Sequence, residues 1–185
     1  MSTMNQLGLY LTDVFFTLAL FFLMMRLLLG IARANFYNPI SQTIVSLTDP
    51  LVLPLRKILP PIGRFDTALL VLMVGLKVLH LLILQYLLPG SELEIVQLII
   101  KAVARLVDLA LLIYLVAIII MVVFSWLSMA GVRLPPQLGS VIQSLLQPIL
   151  LPIRKIMPNL GMLDLSPMIA IITIGAIRIV VRPWL

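Results

Sequence analysis

The chain predicts an all-α membrane protein: four transmembrane helices in two tandem parallel repeats, each carrying a proline-kinked amphipathic interfacial segment. Composition is the first observation behind this. Of 185 residues, 62% are hydrophobic and 11% charged, with a mean hydropathy of +1.20, whereas a soluble domain has about 45–50% apolar and about 25% charged residues. Apolar runs of the roughly 20 residues needed to cross hydrocarbon are the second. The third is a stretch that occurs twice. Residues 50–66 read PLVLPLRKILPPIGRFD and residues 148–164 read PILLPIRKIMPNLGMLD. Slid by 98 positions without a gap, they are identical at Pro50/Pro148, Pro54/Pro152, Arg56/Arg154, Lys57/Lys155, Ile58/Ile156, Pro60/Pro158, Gly63/Gly161 and Asp66/Asp164. Each copy runs into an apolar segment, so the repeats are residues 1–90 and 91–185.

The first span covers about 7–32, with Asp13 near its start and Arg26 late in it. No Lys or Arg precedes it, and Arg26 stands where a small-residue cleavage site would fall, so a retained helix is expected rather than a cleaved leader. Next comes an amphipathic segment over 39–59. Asn38-Pro39 is a good helix opening, with Asn as N-cap and Pro at the first helical position. Ile40, Ile44, Leu47, Leu51, Leu55 and Ile58 recur at helical spacing. Pro50 and Pro54 lack the amide protons owed to residues 46 and 50, which predicts two short pieces kinked over 48–54. Such a segment lies in the membrane interface with its apolar side down, or dips in and returns where the bundle shields its backbone. The interfacial reading is preferred. Pro60, Pro61 and Gly63 then stop the helix. Asp66 opens the second span, about 66–88, where a carboxylate accepts free amide protons and meets the positive helix end, worth about 0.5–2 kcal/mol.

The second repeat opens on an amphipathic stretch, 92–106, in which Glu94, Gln97, Lys101, Arg105 and Asp108 form a polar stripe. One helix over 93–130 would be about 57 Å long against ~30 Å of hydrocarbon. The stretch is therefore expected to lie along or project from the surface before the chain turns inward, with Arg105 and Asp108 spaced to pair along it. A span over about 107–130 follows, uncharged from residue 109 onward. The second amphipathic segment, 136–157, repeats the apolar stripe at Leu138, Ile142, Leu145, Ile149, Ile153 and Ile156, with Pro148 and Pro152 inside it. Pro158 and Gly161 end it, Asp164 opens the last span at about 165–182, and Arg178 falls late in that span.

Thirteen Lys/Arg against seven Asp/Glu give a net charge of +6, and most of the bases lie in connecting segments. That pattern points to topology and anionic lipid rather than nucleic acid. Arg33, Arg56, Lys57 and Arg64 share one side of a four-span chain with Arg133, Arg154 and Lys155. The rule that positive loops stay inside then puts the motif loops in the cytoplasm and both termini outside, although Arg182 opposes it. The halves share one orientation, so their axis runs along the membrane normal.

The doublets Arg56-Lys57 and Arg154-Lys155 are the best candidates for lipid or partner binding, at about 1 kcal/mol of headgroup attraction per base. Plain anchoring explains them equally well one at a time, but does not require the same proline and glycine spacing twice. Lys77 sits mid-span, where a charge costs roughly 2.5–3.5 kcal/mol. Asp13 or Asp108 would offset it, with His80 one turn on; the result is either a buried pair holding helices together or a proton relay or anion point. Arg26 and Arg178 are placed to snorkel. Three spans bearing bases suit a cation pore poorly. The absence of cysteine excludes disulfides, thiolate nucleophiles and iron–sulfur clusters, and the single histidine excludes a multi-His metal site. With no phosphate-cradling glycine loop and no nucleophile elbow, no enzymatic activity, cofactor or metal is expected.

The duplicated P-x3-P-[LI]-R-K-I-x-P-x2-G-x2-D block, the FYNPISQ opening at 36–42 and Ser125-Trp126 resemble the YggT family, called YlmG-like in Gram-positive and plastid members. The resemblance covers nearly the whole chain and implies a multi-pass protein of the bacterial inner membrane. The second copy departs from the opening, with VRLPPQL in place of FYNPISQ. Family members are associated with osmotic or salt tolerance, with envelope and division gene neighbourhoods, and in plastids with nucleoid distribution and cytochrome assembly. The resemblance thus implies a membrane organiser or assembly factor that docks anionic lipid, other membrane proteins or itself. The alternative is an ion or small-solute transporter or channel subunit working as an oligomer.

Overall fold

The computed structural model describes residues 3–61, 66–87, 94–131, 134–156 and 164–185. Among them the elements are α1 (Thr3–Ile31), α2 (Pro39–Arg56), α3 (Thr67–Leu87), α4 (Ile95–Met129), α5 (Pro136–Ile156) and α6 (Ser166–Val181), closed by a 3₁₀ turn, Arg182–Trp184. Among the described residues, four helices are long and apolar enough to cross a bilayer, over Gln6–Ile31, Thr67–Leu87, Ile95–Ser128 and Ser166–Trp184. The chain is a multi-pass, all-helical membrane protein. The expected stop residues Gly63, Pro158 and Gly161 lie outside the described residues, as do Arg64, Glu92 and Arg133.

Local chemistry sets the helix ends. Arg33 takes a left-handed conformation, φ 52, and α1 closes as the Ala34 amide donates to the Leu29 carbonyl at 2.9 Å. Asn38 caps α2 as its spacing predicts: its Oδ1 accepts from the Ile40 amide at 2.9 Å, and Pro39 holds the first helical position. Pro60 follows α2, its carbonyl accepting from the Thr67 hydroxyl at 2.7 Å.

Two expectations need correction. Both amphipathic segments are single helices that run on through Pro50 and Pro54, and through Pro148 and Pro152, where two pieces each were predicted. Each proline costs about 3 kcal/mol or more; burial of Ile44, Thr48 and Val52 in α2, and of Ile142, Leu146 and Leu150 in α5, opposes that loss. The second correction concerns 92–106. No turn separates it from the following span: α4 is one helix of 35 residues, about 52 Å along its axis. Residues 95–129 contain neither glycine nor proline, so nothing breaks the ladder. Leu98, Ala102 and Leu106, one turn apart in series, are buried in the bundle. A helix this long exceeds the hydrocarbon and must tilt or project.

One apolar core joins both halves, built from residues such as Leu23 and Leu27 of α1, Met73 of α3, Ile118 of α4, Leu145 of α5 and Ile174 of α6. In the first half α1, α2 and α3 contact one another; in the second α4, α5 and α6 do, and α2 touches α5. The buried face of α2 is Ser41, Ile44, Thr48 and Val52. The predicted stripe lies about 100° further round the helix, and its members Leu47, Leu51 and Ile58 are exposed. On α5 the stripe residues Ile142 and Leu145 do face the core.

Candidate functional site

The duplicated motif makes the same contact twice. In the first half Arg56 Nε donates to Asp66 Oδ2 at 2.9 Å, with Nη2 on the same oxygen. In the second, Arg154 Nε and Nη2 donate to Asp164 Oδ2 at 3.0 and 2.6 Å. The free carboxylate oxygen does the expected capping. Asp66 Oδ1 accepts from the Leu69 amide at 3.2 Å, and Asp164 Oδ1 accepts from the Ser166 amide at 2.9 Å and from its hydroxyl. Burial alone would raise the Asp164 carboxyl, but the Ser166 and Arg154 donors outweigh it and hold it below the ordinary carboxylate range. Each clasp ties the end of an amphipathic helix to the start of the next span, so the arginine of each doublet is engaged within its own half. Lys57 and Lys155 are exposed and have no ion-pair partner among the described residues.

Arg26 does not snorkel. It is 6% exposed and pairs with Asp49 at 2.9 Å, while its Nη1 also donates to Thr48 Oγ1 at 2.7 Å and to the Val45 carbonyl at 3.2 Å. A span base is thereby neutralised by the amphipathic helix lying against it. Asp49 is the only acid between Arg26 and Asp66, which is the signal that sequence reasoning passed over. The equivalent positions in the second half are Phe124, Leu146 and Gln147.

Beside each amphipathic helix lies a cavity. The first, about 510 Å³, is lined by Gln42, Ser46, Asp49 and Arg56 on one face of α2, with Arg26 and Asp66 behind them. The second, about 560 Å³, is lined by Ser140, Ser144, Gln147 and Arg154 on α5. Those four positions correspond one by one at a separation of 98 residues. Both volumes fall within the ~300–1,000 Å³ of small-molecule sites.

Within the spans, Lys77 Nζ is 3.1 Å from His80 Nδ1, and His80 Nε2 lies 3.5 Å from Asp13 Oδ1. That last contact is within ion-pair reach but short of hydrogen-bond geometry, which leaves Nε2 without a hydrogen-bond partner among the described residues. His80 is 1% exposed and stacks on Phe16 with ring centroids 4.8 Å apart. Asp108 does not serve Lys77, nor does it pair with Arg105 along α4. It takes Arg178 of α6, at 2.7 and 3.2 Å, while Arg105 donates to the Leu185 carbonyl at 3.1 Å. A bidentate pair between helices outcompetes an exposed pair along one helix. Positions 80 and 178 are again 98 apart. Another contact the sequence did not announce joins the halves: Asn38 Nδ2 donates to the Gln137 carbonyl at 2.8 Å and to Ser140 Oγ at 2.7 Å. No group of three or more potential metal ligands occurs among the described residues.

An uncharacterized protein of Pseudomonas aeruginosa is 37% identical over 96% of this chain and 89% of its own length. A Vibrio alginolyticus protein from the proC 3' region is 32% identical over 91% of this chain and 89% of its own. YggT of Escherichia coli K12 is 33% identical over 84% of this chain and 79% of its own. No solved structure matches. The CCB3/YggT family matches twice, over residues 5–87 and again over 100–185, the same two stretches that each hold one arginine–aspartate clasp, and the chain belongs to that family.

Proposed function

We propose that this protein is a non-enzymatic organiser or assembly factor of the bacterial inner membrane. In this reading it is two tandem units of one orientation, with motif loops in the cytoplasm and amphipathic helices in the interface. It docks anionic lipid and membrane partners, itself included, in the service of envelope, division or osmotic homeostasis. The observation that carries this is the end of each amphipathic helix. With Arg56 and Arg154 clasped, Lys57 stands exposed beside Ile58, 78% exposed, and Lys155 beside Ile156, 85% exposed. A cation with no ion-pair partner among the described residues, next to an unburied apolar side chain, suits a headgroup and the acyl chains beneath it. The double family match supports the tandem units.

The test is a Lys57→Gln/Lys155→Gln chain purified from native membranes. At about 1 kcal/mol per base, co-purifying anionic lipid should fall roughly fivefold at each site, with cross-linked partners falling alongside. Unchanged recovery of both would overturn the reading. Single cysteines at 57 and 155, in a chain with none of its own, should resist a membrane-impermeant reagent applied outside intact cells. The Asp13, His80 and Lys77 series favours a second reading, an ion or small-solute transporter subunit working as an oligomer. Lys77→Met would then abolish flux in proteoliposomes, and absence of any flux in the parent chain would count against it.

A further inference from the structure

The two cavities beside α2 and α5 share a plan and differ at one carboxylate. Each is walled by one face of an amphipathic helix at the end of the bundle, and each mixes a polar wall with apolar residues, Leu27 and Leu69 in the first and Leu150 and Leu151 in the second. Each holds one clasped arginine. In Arg56 and Arg154 the aspartate occupies Nε and Nη2, leaving Nη1 without a partner among the described residues. A guanidinium fixed along one edge presents the other ready-oriented to a phosphate. Two helical turns before the arginine, and so on the same face about 10 Å away, the cavities diverge. Asp49 stands in the first, with Oδ1 on Arg26 and Oδ2 unpartnered among the described residues. In the second stands Gln147, with Gln143 one turn before it and Ser144 beside them, and Arg154 is the only charged residue lining that wall among the described residues.

We infer that these are two phospholipid headgroup sites with different preferences. Arg56 and Arg154 hold the phosphate in each. Asp49 selects a zwitterionic headgroup by accepting its ammonium, and Gln147, with Gln143 and Ser144, selects an anionic polyol headgroup by bonding its hydroxyls. The first cavity balances two arginines with two aspartates, and Arg154 of the second is likewise matched by Asp164. The difference is the carboxylate of Asp49, an acceptor for an ammonium, against the neutral amide of Gln147, which suits hydroxyls and puts no second anion beside the phosphate. This inference rests on the lipid-docking reading above and adds chemical selectivity to it.

The experiment loads the full purified chain with equal amounts of phosphatidylethanolamine and phosphatidylglycerol and counts retained lipids by native mass spectrometry. The parent chain should retain both. Asp49→Gln should lower the ethanolamine-to-glycerol ratio about tenfold, the worth of one hydrogen bond to a charged group, and Gln147→Asp should raise it by a similar factor. Because Asp49 also neutralises Arg26, Asp49→Gln can disturb the fold; Gln147 is exposed, so the reciprocal variant keeps the test open. Lys57→Gln/Lys155→Gln should lower the phosphatidylglycerol retained, and adding Gln147→Asp to it should still raise the ethanolamine-to-glycerol ratio by the same factor. An unaltered ratio in Gln147→Asp with lipid still bound overturns the selectivity and leaves docking standing. A parent chain that retains no lipid overturns both.

Discussion

Arg26 is a permanent charge, 6% exposed, in a helix otherwise fit for hydrocarbon. It is tolerable because its donors meet a hydroxyl, a carbonyl and a carboxylate, all supplied by α2. The arrangement is a unit, and the second half shows what replaces it when the whole unit goes: Phe124 and Gln147. Removing one partner of a buried pair costs about 3–5 kcal/mol, whereas replacing both by packed neutral groups is often close to neutral. Arg26→Phe alone should therefore cost about 3 kcal/mol, at the low end because Asp49 is one-third exposed. Arg26→Phe/Asp49→Gln should recover about 1–2 kcal/mol of that. Thermal unfolding in detergent, followed by the fluorescence of Trp126 and Trp184, measures the cycle. Strictly additive losses would mean that the two residues do not act together. The same reasoning explains why position 26 was misjudged from sequence: snorkelling needs only a long side chain near a helix end, and the acid that overrides it is 23 residues away along the chain.

At the scale of elements, α4 separates what periodicity can give from what length arguments assume. The spans were legible because about 20 apolar residues with few charges leave a helix no other home. The break expected near residue 106 was argued from bilayer thickness and from the polar stripe over 94–108, and no residue there enforces it. Leu106→Pro tests the difference. In one unbroken helix with Leu106 buried it should cost about 3 kcal/mol or more from the lost bond and the ring clash, plus the leucine's own packing. At a natural turn it would be nearly silent. Melting temperature and yield from membranes report the answer. The helix faces of α2 were harder to read for a related reason. In water an apolar stripe has one place to go, the core. At a membrane it has two, and α2 uses both: Ile44 and Val52 pack inward while Leu47 and Leu51 stay outside. The N-cap at Asn38 and the carboxylates at Asp66 and Asp164 were legible because capping is local chemistry; their arginine partners lie ten residues back and needed the fold.

The whole molecule is held crosswise by polar ties, two of them on bases 98 positions apart. In each half a base on the last helix reaches an acid on the first, His80 to Asp13 and Arg178 to Asp108, and Asn38 fastens α2 to α5 between the halves. The two crosswise ties are unequal. Arg178 and Asp108 form two charge-assisted bonds with the acid 20% exposed, whereas Asp13 is 63% exposed and 3.5 Å from the ring. Arg178→Met strands Asp108 between α4 and α6 and should cost about 2–3 kcal/mol, below the fully buried range because Arg178 is itself one-third exposed. His80→Phe keeps the stacking on Phe16, frees an acid that is already largely open, removes one hydrogen bond from Lys77, and should cost about 1–2 kcal/mol. Thermal unfolding of the two variants under one set of conditions checks the order, and equal losses would refute it. The comparison also bears on what the Lys77–His80 pair is for. If the first half stays folded without the imidazole, holding helices together is not the reason that a lysine and a histidine meet inside a span, and His80→Phe becomes the variant in which flux can be measured without loss of fold.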